Sequence, residues 1–364
     1  MKTKLWMLGM AVAALTSCTQ SEVVEIPESR VIGFDTFVEK NSRAVVTATT
    51  GNLNEMYVVG YKTANTGNNP AFSLNNYQSV FVDENNGFVK AERDANSAWG
   101  YTPVRHWQKN SFYRFAAFTD ANDDASDLTQ SIAYNPVDDE VTITGMTVTN
   151  TTKDLVVAIS GDRKTESELD ASATAIIPFT FRHALSRVRF TFTDASNVNL
   201  RVKDLKIVNA YNKGTGTYKF NTQNTGYGDV TWVNVGSDTD KGFIYPTSSL
   251  DVTGANGIFD EMLVIPQVLG NSTNPVKVEF TLMSYSVHDG EEETIHETPF
   301  SLPLSTNEYP EWKSGMWYTY HIAFGTDFNE IPISFTVTSV IGWNSNIDNN
   351  STTEDDHIDV EVDN

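Results

Sequence analysis

Cys18 has the most definite chemistry in this chain of 364 residues, because it is the only cysteine. The small residues Thr16 and Ser17 precede it, which is the pattern that signal peptidase II cleaves once the thiol carries diacylglycerol. Two lysines near the start are followed by an apolar run, residues 5–15, that is too short to span a bilayer. Residues 1–17 are therefore predicted to be a lipoprotein signal peptide and Cys18 the lipidated residue; the alternative is an ordinary signal peptide that ends near a cysteine.

Lipidation of Cys18 has two consequences. A mature bacterial lipoprotein carries several acyl chains, which hold a protein firmly in a membrane. We therefore expect an exported protein that the lipid attaches to the outer membrane of a Gram-negative bacterium. Once the thiol is acylated, no other thiol remains, so a disulfide, a catalytic cysteine and a cysteine-containing zinc site are all excluded.

Candidate metal ligands occur in two places. His288 and His296 flank the acidic residues 289–293, but an exposed hairpin tip explains this pattern better than a metal site does. Residues 120–124 begin like a calcium loop, yet the glycine and the glutamate that close an EF-hand do not follow at positions six and twelve. The sequence therefore predicts no metal site.

The sequence does not indicate a catalytic group. Ser186 lacks the glycine elbow of a serine hydrolase, and residues 214–216 open no helix that could hold a phosphate. The chain has 47 acidic residues, so chance pairs of carboxylates are unavoidable and no pair points to a glycosidase. The protein is predicted not to be an enzyme and to need no cofactor. Its formal net charge of -22 at pH 7 repels phosphate backbones, which excludes nucleic acid as a partner.

Aromatic side chains are the remaining candidates for ligand binding, because a flat ring can stack on the apolar face of a sugar. The candidates are Trp99, Tyr101, Trp107, Trp312 and Trp317. In a protein of this size most such rings belong to the core or to its rim. We expect the core role for most of them.

The elements that position these residues are strands, because almost every ordered stretch has a period of two. Such stretches cover residues 56–61, 112–118, 141–144, 155–159, 205–208, 262–265, 276–285, 317–324 and 333–341. Val188, Phe190 and Phe192 form the apolar face of another strand. Arg187 and Arg189 lie on its other face, which is typical of a half-buried antiparallel strand.

Sheets with one apolar face must stack in pairs, so the pattern predicts an all-β protein with two tandem β-sandwich domains. The polar residues 161–174 are the candidate linker. We place an N-terminal domain at residues 18–170 and a C-terminal domain at residues 171–343. Residues 344–364 form a polar tether that ends in a short strand-like segment.

One segment carries a family likeness. Residues 179–190, with the sequence FTFRHALSRVRF, resemble the F-x-H-A-L-S-R-V-x-F signature of the fimbrillin-like proteins, which are the lipoprotein-derived pilins of the type V pilus and their relatives. Further stretches agree in order: residues 32–34, residues 42–44, an apolar-Pro-Gln strand at 262–267, a Gly-x-x-Tyr-x-Tyr strand at 315–322 and a closing strand at 333–343 that ends in Trp. The resemblance covers essentially the whole mature chain.

The resemblance implies a fold and an assembly mechanism. The fold would be two transthyretin-like β-sandwich domains in tandem, on a protein of the cell surface and the fimbrium. In such pilins a trypsin-like protease cuts after an arginine and removes the first strand. The C-terminal strand of a neighbouring subunit then fills the groove that remains, so the implied partners are other fimbrial subunits, in a self-polymer or a heteromer.

The residues near the mature N-terminus fit this role. Ile32, Phe34, Thr36 and Val38 lie on one face of a predicted strand, and a polar turn follows it. Arg43 ends that turn and is the candidate cleavage site. Arg30 is the second candidate, although cleavage there would leave the strand attached. The alternative is that Arg43 is an ordinary exposed turn residue.

The chain end supplies the other half of the mechanism. Ile358, Val360 and Val362 alternate with acidic residues, which predicts a donor strand with one apolar face. The alternative is a strand that folds back on its own domain. A non-polymerising fimbrial anchor, a tip adhesin with a host or bacterial surface ligand, and a glycan-binding surface lipoprotein also remain open.

Overall fold

The protein is represented by a computed structural model. It describes residues 31–38, 53–65, 72–73, 75–81, 87–96, 98–120, 125–149, 154–166, 169, 176–196, 198–219, 230–234, 241–245, 247–253, 256–270, 273–325 and 333–342. Within these ranges no helix is long and apolar enough to cross a membrane.

The described chain is built almost entirely from strands. The first eleven are β1 (Phe34–Val38), β2 (Glu55–Ala64), β3 (Gln78–Ser79), β4 (Val89–Arg93), β5 (Trp99–Tyr101), β6 (Ser111–Asp120), β7 (Ile132–Asn135), β8 (Glu140–Thr147), β9 (Leu155–Ile159), β10 (Arg163–Thr165) and β11 (Ile177–His183). The others are β12 (Ser186–Asp194), β13 (Asn199–Tyr211), β14 (Lys213–Lys219), β15 (Val230–Asn234), β16 (Lys241–Ile244), β17 (Ser249–Asp251), β18 (Asn256–Ile258), β19 (Met262–Val264), β20 (Lys277–His288), β21 (Glu291–Pro303), β22 (Met316–Phe324) and β23 (Ile333–Gly342). A 3₁₀ helix, Ala125–Gln130, precedes β7.

The strands form four sheets. The first sheet has the order β1-β11-β9-β6-β2-β4-β5, with β10 paired to β6 and β3 paired to β2. The second has the order β18-β12-β22-β23, with β19 paired to β12. The third has the order β16-β13-β20-β21, with β17 paired to β13, and the fourth has the order β15-β14-β8-β7.

The sheets stack face to face, as β-sandwiches do. Phe192 of the second sheet packs against Phe280 of the third, with ring centroids 5.4 Å apart. The first and fourth sheets meet through Tyr61 and Tyr134, whose ring centroids lie 6.0 Å apart. The all-β sandwich fold predicted from the strand period is therefore confirmed.

β12 illustrates how far a strand period predicts burial. Val188, Phe190 and Phe192 are fully buried, as their alternation predicted. The strand pairs in parallel with β22 and antiparallel with β18 and β19, so the prediction of an antiparallel strand was only partly right. Arg187 is buried on the face that was predicted to be polar. A local period identifies the apolar face, but it does not show what covers the other face.

The expected domain boundary at residue 170 does not match the strand pairing. β11 starts after that boundary, yet it pairs with β1 and β9 in the first sheet. β14 and β15 also come from the expected C-terminal domain, but they extend the fourth sheet from β8. β11 is the last strand of the first sheet, and Ala184 and Leu185 then lead into β12 of the second. The two predicted domains therefore share the fourth sheet.

The polar segment 161–174, predicted to be a linker, includes the strand β10, which pairs with β6. Its polar side chains take part in hydrogen bonds. The Thr165 hydroxyl donates to the carbonyl of Gln108 at 2.6 Å and accepts the N–H of Ser111 at 3.0 Å. Polar composition alone was therefore a misleading sign of a linker.

The turn at Asp289 and Gly290 joins β20 to β21, which agrees with the hairpin tip expected at residues 289–293. Both residues have positive φ, 52° and 85°, which suits the tight hairpin turns that Asp-Gly favours. His288 and His296 are exposed beside this tip. Among the described residues no three His, Cys, Asp or Glu side chains are grouped as metal ligands would be.

Candidate functional site

The predicted first strand lies at one end of the first sheet. β1 runs parallel to β11, and the register pairs Phe34 with Ile177 and Thr36 with Phe179. The N–H of Ile177 donates to the carbonyl of Gly33 at 2.9 Å. The segment 31–38, which we call the closing strand, is therefore attached to β11 by main-chain pairing.

The other side of the closing strand is also bonded. The N–H of Ile32 donates to the carbonyl of Arg105 at 2.9 Å, and Val31 forms an antiparallel bridge with His106. These partners lie four and five residues after the end of β5, which is the strand at the opposite end of the sheet order. The first sheet thus curls until its two ends meet, and the closing strand joins them.

The closing strand turns one row of side chains inward. Ile32 is 0% exposed, and Phe34 and Thr36 are each 5% exposed, whereas Asp35 lies at the surface. The predicted inward positions of Ile32 and Phe34 are confirmed. The side chain of Val38, the third residue predicted for this face, lies outside the described part of the structure.

Phe34 packs among four aromatic rings. The centroid distances are 5.2 Å to Tyr101, 5.8 Å to Phe179, 6.1 Å to Phe81 and 6.4 Å to Phe115. Tilted and edge-on ring pairs of this kind stabilise a core beyond the area they bury.

An apolar surface lies beneath the closing strand, and we call it the groove. It consists of the four rings that contact Phe34 and of seven further apolar side chains. These seven are buried with Ile32 and Phe34 in one cluster: Met56, Val58, Ala117, Val156, Ala158, Ile177 and Phe181. Burial of an Ile or Phe side chain contributes about 1.5–3 kcal/mol. Loss of the closing strand would therefore expose an apolar surface that the rest of the sheet cannot cover.

Tyr101 fixes the start of the closing strand. Its hydroxyl donates to the carbonyl of Ile32 at 2.8 Å and accepts the N–H of Arg105 at 3.2 Å. Burial raises the pKa of Tyr101, so the phenol stays protonated and remains a donor throughout the physiological range. One side chain thus links the closing strand to the segment after β5.

Replacement of Tyr101 by phenylalanine tests this link. We expect the Tyr101→Phe variant to lose about 1–3 kcal/mol in the free energy of unfolding, because the partly buried hydrogen bonds with Ile32 and Arg105 disappear while the ring remains. Urea unfolding would measure the loss. The control is Tyr309→Phe, which removes only a bond to the exposed Glu308 carboxylate. Equal losses in both variants would contradict the role of Tyr101.

The aromatic residues considered for sugar binding do not form an exposed platform. Trp107, Trp312 and Trp317 are buried, so the expected core role is confirmed for them. Trp99 and Tyr101 are partly buried against the groove cluster. Trp107 itself belongs to that cluster, where its ring lies 4.8 Å from Tyr113.

The segment from His183 to Ser186 crosses from the first sheet to the second. The indole N–H of Trp232 donates to the carbonyl of Ala184 at 2.6 Å, and the N–H of Gly315 donates to that of Leu185 at 2.9 Å. The Ser186 hydroxyl donates to the carbonyl of Lys313 at 2.7 Å. The Ala184 and Leu185 carbonyls and the Ser186 hydroxyl therefore all bond to distant parts of the chain, which fixes the path of the crossing.

Charged side chains are buried around the same crossing. His183 Nδ1 lies 2.9 Å from Asp154 Oδ2. Arg187, 1% exposed, forms an ion pair with Glu261, 7% exposed. Burial lowers the pKa of Arg187 to about 10, with Asp154 opposing the shift and Arg189 adding to it. Such a buried pair is stable only while both partners are present.

Two arginines also enclose Trp317. The guanidinium carbons of Arg187 and Arg189 lie 4.8 Å and 4.6 Å from its ring centroid. Cation–π contacts of this kind gain strength when water is excluded. The signature segment therefore forms a buried, densely packed joint between the first and second sheets.

Gln267, in the apolar-Pro-Gln stretch, also connects distant parts of the chain through hydrogen bonds. Its side-chain amide accepts the N–H of Tyr211 at 2.8 Å and donates to the carbonyl of the same residue at 2.9 Å. A single side chain thus replaces a neighbouring strand at the end of β13.

Several predicted site residues lie outside the described ranges. They are Cys18, Arg43, Ile358, Val360 and Val362. The structure adds residues that the sequence analysis missed: Tyr101 as a partner of the closing strand, and Asp154 and Glu261 as partners of the signature segment. No local pattern marks these three, because each partner is distant in sequence.

Comparison with known proteins agrees with this architecture. A sequence model of the fimbrillin-like family matches residues 42–342. A fimbrial protein from Bacteroides vulgatus shares the fold with a TM-score of 0.58 at 20% identity, covering 86% of this chain and 99% of that one. A fimbrilin from Porphyromonas gingivalis has a TM-score of 0.41 at 10% identity, covering 86% and 97% of the two chains.

The fimbrial anchor protein of Porphyromonas gingivalis has a TM-score of 0.32 at 11% identity, covering 86% of this chain and 98% of that one. No curated protein sequence gives a significant match. At 20% identity, the Bacteroides vulgatus structure shows the fold alone. The family model, however, spans most of the chain and includes the signature segment, the joint and the groove-forming strands. This chain belongs to the fimbrillin-like family.

Proposed function

We propose that this protein is a structural subunit of a cell-surface fimbria that polymerises by strand exchange. It is made as a lipoprotein precursor anchored through Cys18, and a trypsin-like protease then cuts after Arg43. Hydrolysis of the Arg43–Ala44 bond leaves a carboxylate on Arg43 and a free amine on Ala44. The closing strand is then no longer covalently joined to the groove it covers.

The observation that carries the proposal is the double attachment of the closing strand. It bonds to β11 on one side and to residues 105–106 on the other, and its inward side chains fill an apolar cluster. Its removal would leave two unpaired edges and an open groove. An incoming strand can regain the main-chain hydrogen bonds and the burial together, which is the basis of β-strand addition.

The precursor also needs protection from early assembly. Unpaired strand edges pair readily with other chains, so a protein that carries such an edge must cover it. The closing strand provides this cover until cleavage. The donor in this proposal is the C-terminal segment with Ile358, Val360 and Val362 on its apolar face, supplied by a neighbouring fimbrial subunit.

Limited proteolysis tests the proposal. Purified precursor is treated with a low dose of trypsin and examined on a denaturing gel without boiling. We expect a new N-terminus at Ala44 and a ladder of oligomers. The Arg43→Ala variant should give neither the new N-terminus nor the ladder, whereas the control Arg30→Ala should behave as the wild type does.

Two results would contradict the proposal. Cleavage after Arg43 without a ladder would mean that the opened groove takes up no strand. Protein isolated from cells that begins uniformly with lipid-bearing Cys18 would instead fit an anchor or another surface lipoprotein that keeps its first strand.

A further inference from the structure

Two residues at the start of the closing strand bond to opposite sides of the groove. The N–H of Ile32 donates to the Arg105 carbonyl at 2.9 Å, and the Ile32 carbonyl accepts the Tyr101 hydroxyl at 2.8 Å. Gly33 bonds on the other side, where its carbonyl accepts the N–H of Ile177 at 2.9 Å. Both main-chain polar groups of Ile32 are therefore held by Tyr101 and Arg105, which we call the clasp.

The clasp is anchored to the body of the first sheet. The Nε–H of Arg105 donates to the carbonyl of Val80 at 3.1 Å, and the N–H of Val80 donates to the carbonyl of Gly60 in β2 at 2.8 Å. The centroid of the Tyr101 ring lies 5.5 Å from that of Phe81. None of these three contacts involves the closing strand, so a cut on the C-terminal side of that strand leaves them in place.

Unaided departure of the closing strand would break many interactions together. The five parallel pairs with β11 would be lost, and so would both bonds between the clasp and Ile32. Ile32 and Phe34 would also leave the apolar cluster that they share with the groove. This route is slow, because hydrogen bonds and apolar burial are lost before any replacement forms.

An incoming strand can replace the same interactions one position at a time. The clasp binds an N–H and a carbonyl of the main chain, and every residue except proline offers both. β11 also pairs with the closing strand through its main chain. The clasp can therefore pass from one strand to another without matching its side chains, and few groups lose their partners at any moment.

Resting on the proposed strand exchange, we propose that the clasp retains the cut closing strand in the groove until a strand of another subunit displaces it. Cleavage then permits exchange but does not open the groove by itself. A cleaved subunit that meets no donor keeps both edges of the groove covered, which protects it from indiscriminate pairing with other chains.

The test follows release of the cut strand from lipid-free precursor that carries a fluorophore on Cys18, its only thiol. Arg30 is the only Lys or Arg between Cys18 and the closing strand, so Arg30→Ala in every sample keeps the label and the strand on one tryptic fragment. After the cut, trypsin is inhibited and gel filtration measures the label that stays with the protein. Samples are diluted alone or mixed with excess unlabelled Arg43→Ala precursor, which offers a donor strand but is not cut there.

We expect little release on dilution alone and a release rate that rises with the concentration of the donor precursor. In Tyr101→Phe, release on dilution alone should be at least about fivefold faster, since the hydrogen bonds of the lost hydroxyl are worth at least that factor. The matched control Tyr309→Phe loses only a bond to the exposed Glu308 carboxylate and should release the label at the wild-type rate.

The same samples distinguish failure of the clasp from failure of strand exchange. Release that is equally fast with and without the donor precursor, or equal in Tyr101→Phe and Tyr309→Phe, refutes retention by the clasp, while strand exchange stands if ladders still form. If no sample forms a ladder and the donor precursor releases no label, strand exchange is refuted, and displacement with it.

Discussion

Replacement of Phe34 by alanine is expected to lower the free energy of unfolding by about 3–5 kcal/mol. The ring is 5% exposed and contacts four other aromatic rings, so its loss removes apolar burial and leaves a cavity at the centre of the groove. Urea unfolding monitored by tryptophan fluorescence would measure the change, with Trp107 of the same cluster as one reporter.

The neighbouring Asp35 provides the control for this variant. Its side chain is exposed, and its carboxylate only accepts the N–H of the next residue, Thr36, at 2.8 Å. Asp35→Ala should cost less than about 1 kcal/mol, as surface changes usually do. If the two variants are equally stable, the closing strand is not packed in the groove as described.

Replacement of Glu261 by alanine is the second change with a large expected effect. It leaves Arg187 buried without its ion-pair partner. It also removes the Glu261 carboxylate oxygen that lies 3.9 Å from Arg189 Nη1. Removal of one partner of a buried pair typically costs about 3–5 kcal/mol, because the remaining charge stays away from water. The loss should appear as a lower midpoint in thermal and in urea unfolding.

An exposed pair on the third sheet is the matched control. Arg201 Nη1 lies 2.7 Å from the exposed carboxylate of Glu292. Glu292→Ala should leave the unfolding midpoint almost unchanged, since water and salt screen exposed pairs. A large effect at Glu292 together with a small one at Glu261 would contradict the assigned burial of the joint.

Local patterns predicted the strands well but their neighbours poorly. Ile32 and Phe34 were placed on one inward face because alternation is a property of the strand itself, and the structure confirms both positions. The hydrogen bond from Tyr101 to Ile32 joins residues 69 positions apart, and no period of two could indicate it. Pairing across a sheet depends on the whole topology rather than on the local sequence.

The expected domain boundary at residue 170 differs from the strand pairing for the same reason. Composition favoured a linker near residue 170, but Thr165 satisfies its hydroxyl through hydrogen bonds in a short strand. The Arg187 side chain was expected to face solvent because it alternates with apolar residues, yet Glu261 and Trp317 cover it. Both errors come from treating a polar residue as a solvent-facing one.

The mixed pairing of the closing strand has a consequence for the direction of a guest strand in the proposed strand exchange. The strand is parallel to β11 and antiparallel to residues 105–106, so those two walls run in opposite senses. Any guest lying between them meets one parallel and one antiparallel wall, whichever end enters first. In the proposed strand exchange, a guest with the direction of the closing strand would regain the five parallel pairs with β11, whereas a reversed guest would have to form an antiparallel ladder there.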